Sequence, residues 1–277
     1  MLRSALVALD GSAYSEPATT LALDWARRFG ARLVGLGVLD APAIRGAEPV
    51  PLGAGAYKKA RDEARLVEAH RRVVGFLADF LARSQAAGIA AEVLEGIGDP
   101  AARILREAQR CDLVILARET HFHFETQEQP DETLGQVLRG SPRPVVVVPR
   151  ELPEGQGIVL AYGGGREAAR TLQSFQLLGL AAGETVDVVS IHPDGAEAEG
   201  LARLAGEYLT AHGAPHRLHP IVSAAPPAEV LLEEIQHARP RLLVMGAQGH
   251  HPLRDLFGTS VTRAVLGACP VPTFIGA

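Results

Sequence analysis

The residues with the clearest chemical potential lie between Met245 and Val261, in the stretch MGAQGHHPLRDLFGTSV. Gly246 and Gly249 let backbone approach a ligand closely, and Gly258-Thr259-Ser260 opens a helix. Exposed amides at a helix start, with adjacent hydroxyls, hold an anion without any lysine, and a phosphate chain suits them. His250 and Arg254 are further candidates from charge alone, because residues 151–277 contain no lysine. The corresponding stretch of the first half, from Ala117 to Thr133, reads ARETHFHFETQEQPDET. Residues 119–132 hold five acids and no Lys or Arg, a charge pattern that repels a triphosphate.

Other chemistry is less well marked. His121 and His123 alternate with Glu119 and Glu125, so an extended segment would place all four on one face as a candidate metal set. The plainer account is a polar loop that replaces a lost phosphate site. Asp10-Gly11-Ser12 has no histidine base beside it in sequence, and neither a Walker Gly-Lys-Ser nor a Gly-x-Ser-x-Gly elbow is present. An enzyme is therefore not expected from these motifs. Cys111 and Cys269 stand at strand entries with no CxxC spacing, which predicts buried, inert thiols in a reducing compartment.

These residues need elements to hold them, and the hydrophobic pattern supplies the same order twice. Leu6–Leu9 is a short apolar strand, followed by a helix with Ala18, Leu21, Ala22, Trp25 and Ala26 at three-and-four spacing. Leu33–Leu39 is a strand, 40–57 a loop rich in Pro and Gly, and Lys58 to about Ala87 a long helix. Ala90–Leu94, Pro100–Gln109, Leu113–Ala117, Thr133–Leu138 and Val145–Val148 continue the alternation of strand and helix. The second half repeats it with strands at Ile158–Tyr162, Val186–Ile191, Arg217–Val222, Leu242–Met245 and Val271–Ile275. Its helices are Arg166–Leu180, Ala196–His212, Pro227–His237 and one from about Thr259. Such alternation with short connections implies parallel sheets covered by helices on both faces. The linker Pro149–Gly157 divides the 277 residues into domains at 1–150 and 157–277.

Composition narrows the functional classes. The chain is 47% hydrophobic and 21% charged, which is globular. No apolar run reaches the roughly 18 residues of a membrane span. Met1-Leu2-Arg3-Ser4 runs into a strand-like stretch, so a signal peptide is not expected and a cytoplasmic location is. Residues 151–277 carry 8 basic and 13 acidic residues and account for the whole net charge of −5. Without a clustered basic face, nucleic acid is not an expected partner.

The glycine motif after a Met-Gly strand end, the opening VALDGSAYSEPA, and the closing CPVPTFI and SPRPVVVVP resemble the universal stress protein family. The resemblance covers nearly all of both halves. It implies an α/β fold of two tandem Rossmann-like domains, each a five-stranded parallel sheet in order 3-2-1-4-5 with helices on both faces. It also implies pairing of the two domains through their last strands. In the family's ATP binders an aspartate after the first strand lies near the adenosine and the glycine motif holds the phosphates. The first half keeps the aspartate, Asp10, but has Ala117, Thr120 and Pro130 in place of the glycines and Asp131 in place of the hydroxyl. The second half keeps the motif but has Gly163 in place of the aspartate. Eight residues, not nine, separate Gly249 from Gly258.

By position, the resemblance places Ala161, Tyr162 and Gly163 at the nucleoside and Ser190 and Ile191 beside the base. Met245, Gly246, Gln248 and Gly249 line the ribose and first phosphates, and Gly258, Thr259, Ser260 and Val261 hold the distal phosphates. The expectation is a stress-response regulator that binds ATP or a related adenine nucleotide, with or without magnesium, in its second domain. A nucleotide-free interaction protein and an ATP-using enzyme of the wider α/β group are the alternatives. Monomer and homodimer are both open.

Overall fold

The computed structural model of the chain describes residues 1–46, 54–122, 131–246 and 261–276. The first half runs β1 (Ser4–Leu9), α1 (Ser15–Phe29), β2 (Arg32–Leu39), α2 (Ala41–Ile44), α3 (Gly55–Ala86), β3 (Ala91–Ile97), α4 (Pro100–Ala108), β4 (Leu113–Ala117), α5 (Thr133–Gly140) and β5 (Val145–Val148). The second runs β6 (Ile158–Ala161), α6 (Arg166–Leu177), β7 (Val186–His192), α7 (Gly195–Ala211), β8 (His216–Val222), α8 (Pro227–Ala238), β9 (Leu242–Gly246), α9 (Val261–Ala268) and β10 (Thr273–Gly276). By position within each half, the strand order is 3-2-1-4-5.

Two compact units emerge, Arg3–Gly140 and residues 1–2 with 141–277. In the first, β1 lies between β2 and β4 in parallel, and β3 adds to β2. Every residue of β1 is buried, as a central strand covered on both faces requires. Asp112, just before β4, accepts the amides of Arg3 and Ser4 at 2.9 Å each and so pins the start of β1 to the start of β4. In the other unit β6 lies between β7 and β9, β8 adds to β7, and β10 adds to β9, all parallel. Strand β5 belongs here because it pairs antiparallel with β10, Val146 facing Phe274. The last strands of the two sequence halves thus meet in one ladder. The Leu2 amide donates to the Leu178 carbonyl at 2.7 Å in the same unit.

Several boundaries differ from the sequence expectation. The expected loop 40–57 contains α2, because Asp40 caps it through the Ala43 amide at 2.9 Å and Pro42 fits its first turn. Helix α3 starts at Gly55, before Lys58, and Lys58 forms an ion pair with Asp62 one turn on. Strand β3 runs on to Ile97, since Gly96 still pairs with Val38. Helix α5 continues to Gly140, whereas α6 stops at Leu177, just before the left-handed Gly179. The last strand starts at Thr273, after the second of two prolines, neither of which has an amide to give a ladder.

Helix α6 packs against two glycines that face each other across the ladder, Gly246 of β9 and Gly276 of β10. A Cβ on Gly246 would lie 2.8 Å from the Ala168 amide nitrogen, and one on Gly276 would lie 2.7 Å from the Thr171 Cα. Backbone cannot yield as a side chain can, so this spacing is fixed by the absence of both Cβ atoms. Gly276→Ala should lower stability by about 1–3 kcal/mol through overpacking. Gly75→Ala, in a helix with open space around its Cβ, should raise it by about 0.5–1 kcal/mol. Urea unfolding midpoints of the two variants check both signs.

Candidate functional site

In an open parallel sheet the crevice lies beyond the carboxyl ends of the strands where the order reverses, here between β1 and β4 in the first half and between β6 and β9 in the second. Asp10 stands at the exit of β1 and is 2% exposed. Its Oδ1 accepts the Ser12 amide at 2.9 Å and the Ser12 hydroxyl at 2.7 Å. Its Oδ2 accepts the His121 amide at 2.7 Å, from the segment that leaves β4. The next amide, that of Phe122, donates to Asp131 Oδ2 at 2.8 Å, while Asp131 Oδ1 accepts the Thr133 amide at the start of α5 at 2.8 Å. The chain's own carboxylate therefore sits at a helix start, where an external anion binds in other sites of this type.

Aromatic rings pack beside these carboxylates. Phe122 is 1% exposed, and the Tyr14 ring stacks on His121 with centroids 5.0 Å apart. The Phe76 ring of α3 lies over Gly11 and Gly37; a Cβ on either glycine would fall 2.8 Å from a ring carbon. Gly11 also takes φ +71°, which only a residue without Cβ adopts freely. The Thr120 hydroxyl is buried and finds no hydrogen-bond partner among the described residues. The Asp131-x-Thr133 spacing could have announced an Asx turn at this helix start in the sequence. The placement of Phe76 and Tyr14 could not, since both contacts cross between elements.

Strand register fixes which residues of the second half correspond. Ala5 faces Leu33 and Leu113, and Ile158 faces Val186 and Leu242. Counting the same distance along both strands sets Gly163 at the place of Asp10, and Ser190 at the place of Gly37. Ala161 faces both Met245 and Val189. The Tyr162 amide donates to the Val189 carbonyl at 2.9 Å, and the Ser190 hydroxyl donates to the Tyr162 carbonyl at 2.8 Å. Ala161, Tyr162, Gly163, Ser190, Ile191, Met245 and Gly246 thus gather at the exits of β6, β7 and β9. Ser190 and Met245 are buried, Ala161, Tyr162 and Ile191 half-buried, and Gly163 exposed. Burial raises the Tyr162 phenol above its ordinary pKa, so it stays protonated at neutral pH.

At the start of α6, Gly165 offers no capping side chain. The Glu167 carboxyl is held below its usual range by its own backbone amide and by Arg166, 3.1 Å away. Val261 is the first residue of α9. Gln248, Gly249, His250, Arg254, Gly258, Thr259 and Ser260 lie outside the described residues, as do His123 and Glu125 of the candidate metal set. Among the described residues no group of three or more His, Cys, Asp or Glu could hold a metal ion, and no helix is long and apolar enough to cross a membrane.

The sequence profile of the universal stress protein family matches residues 1–149 and again 156–275. The chain belongs to the universal stress protein family. A universal stress protein from Archaeoglobus fulgidus DSM 4304 shares the fold, with a TM-score of 0.73 at 20% identity over 99% of this chain and 97% of that one. Universal stress protein Slr1230 from Synechocystis is 22% identical over 161 residues, 58% of this chain. That match spans about half, 56%, of the curated relative's length. Another universal stress protein from Archaeoglobus fulgidus, solved in complex with dAMP, is 22% identical over 44% of this chain and 98% of that one, with a TM-score of 0.34.

Both cysteines are buried, and desolvation raises the Cys111 thiol above its ordinary pKa. Near pH 8 a water-soluble disulfide reagent should leave both thiols unmodified in the folded chain and titrate both after denaturation. A fast phase in the native protein would contradict this placement.

Proposed function

We propose that this chain is a stress-response regulator of the cytoplasm whose second half binds ATP or a related adenine nucleotide, while its first half does not. The observation that carries the proposal is the contrast between the two strand-exit crevices. In the first half, Asp10 and Asp131 are taken up by the chain's own amides, and the Tyr14 ring stacks on His121 beside them. In the second half, an exposed Gly163 stands in place of the carboxylate, and the sequence keeps a glycine-rich run ending at a helix start. That run suits phosphates, for the reason given by helix-start amides.

The missing aspartate has a definite cost. A hydrogen bond to a charged group contributes about 1.5–3 kcal/mol. Its absence weakens binding by roughly tenfold to a hundredfold without abolishing it. A role in binding rather than turnover belongs to the same proposal: the sequence carries no motif that marks a general base for water. Nucleotide binding would then act by shifting the surface that the second half offers to a partner.

Calorimetric titration of ATP with magnesium into nucleotide-stripped protein should give one site per chain, lost in Gly249→Glu. Gly163→Asp should tighten binding by about tenfold to a hundredfold, restoring the carboxylate. Two sites per chain would overturn the assignment of the first half as closed. No heat in either wild type or Gly163→Asp would favour the nucleotide-free interaction protein.

A further inference from the structure

The first half has more than a lost ligand site, because its crevice is occupied in an organised way. Two consecutive amides leave β4 and each finds a different carboxylate, His121 reaching Asp10 from the β1 side and Phe122 reaching Asp131 from the α5 side. Both carboxylates are anchored independently. Asp10 is fixed by the Ser12 amide and hydroxyl, and Asp131 by the Thr133 amide. Between them the side chains lock the segment in depth: Phe122 is buried, and His121 is stacked under Tyr14.

We propose that the segment Thr120–Phe122 is a built-in occupant of the first-half crevice, held at His121 by Asp10 and at Phe122 by Asp131, so that this half stays closed without any ligand. The carboxylate and the helix start that an incoming nucleotide would need are already satisfied from within the chain. An external ligand would have to break two charge-assisted hydrogen bonds before making its own. The clamp rests on these hydrogen bonds, the burial of Phe122 and the Tyr14–His121 stack, and holds whether or not the second half binds nucleotide.

Amide hydrogen exchange on the full-length, nucleotide-free chain, resolved by residue with NMR, tests it. In the wild type the His121 and Phe122 amides should be protected, although His121 lies at the surface. Asp10→Asn, which can turn an NH2 toward a donor, should speed exchange at His121. Asp131→Asn should speed it at Phe122. Each acceleration should be about tenfold to a hundredfold, while amides of Leu6–Ala8 keep their wild-type rates. Should Asp10→Asn lose the protection of β1 as well, Tyr14→Leu serves in its place, since it removes only the stack on His121 and should raise exchange there severalfold. Exchange of either amide in the wild type at the rate of exposed chain would overturn the proposal. So would unchanged rates at His121 and Phe122 in folded variants.

Discussion

Backbone and side-chain polar groups that surface at the carboxyl edge of a parallel sheet must be satisfied by something once water is excluded. At a strand-order reversal the helices diverge and leave room for a ligand to supply the partners. In this chain the two halves meet the requirement differently. The first meets it internally, with Asp10 and Asp131 receiving the amides of Ser12, His121, Phe122 and Thr133. The second leaves Gly163 exposed at the same register position and carries no carboxylate there.

The two solutions draw different consequences from one fold. A carboxylate with several donors on it is held in one orientation, and in the first half this orders the segment leaving β4. Phe122, buried, and the Tyr14 ring stacked on His121 pack the same segment. In the second half, the glycine pair Gly246 and Gly276 brings the first turns of α6 down onto β9 and β10. Close approach of helix to strand at this point places the α6 start beside the crevice. Sheet architecture is thus shared, and what differs is which side chains stand at the strand exits.

Membership of the universal stress protein family follows from a profile match over both halves. It does not make the halves equivalent. The pairing of β5 with β10 shows how far the repeat departs from two separate copies. A strand that is fifth in the first repeat packs with the compact unit formed by the second, because its free edge is satisfied by the last strand there.

The alternation of apolar strands with amphipathic helices was legible along the chain, and so were the fold class, the buried cysteines and the unequal motifs. Those features are set by local period, by turn residues and by charge, all of which act over a few residues. Helix boundaries at Asp40, Gly55 and Leu177 were less legible, because capping and tertiary packing outweigh propensity at the ends of elements. The fate of Asp10 could not be found in the sequence at all. A lone aspartate after a strand reads equally well as a ligand contact and as an internal acceptor. The choice depends on an amide 111 residues away, brought within 2.7 Å only when β4 pairs beside β1. Tertiary structure alone decided it, since a hydrogen bond is made by proximity, and proximity across a sheet is set by strand order and register.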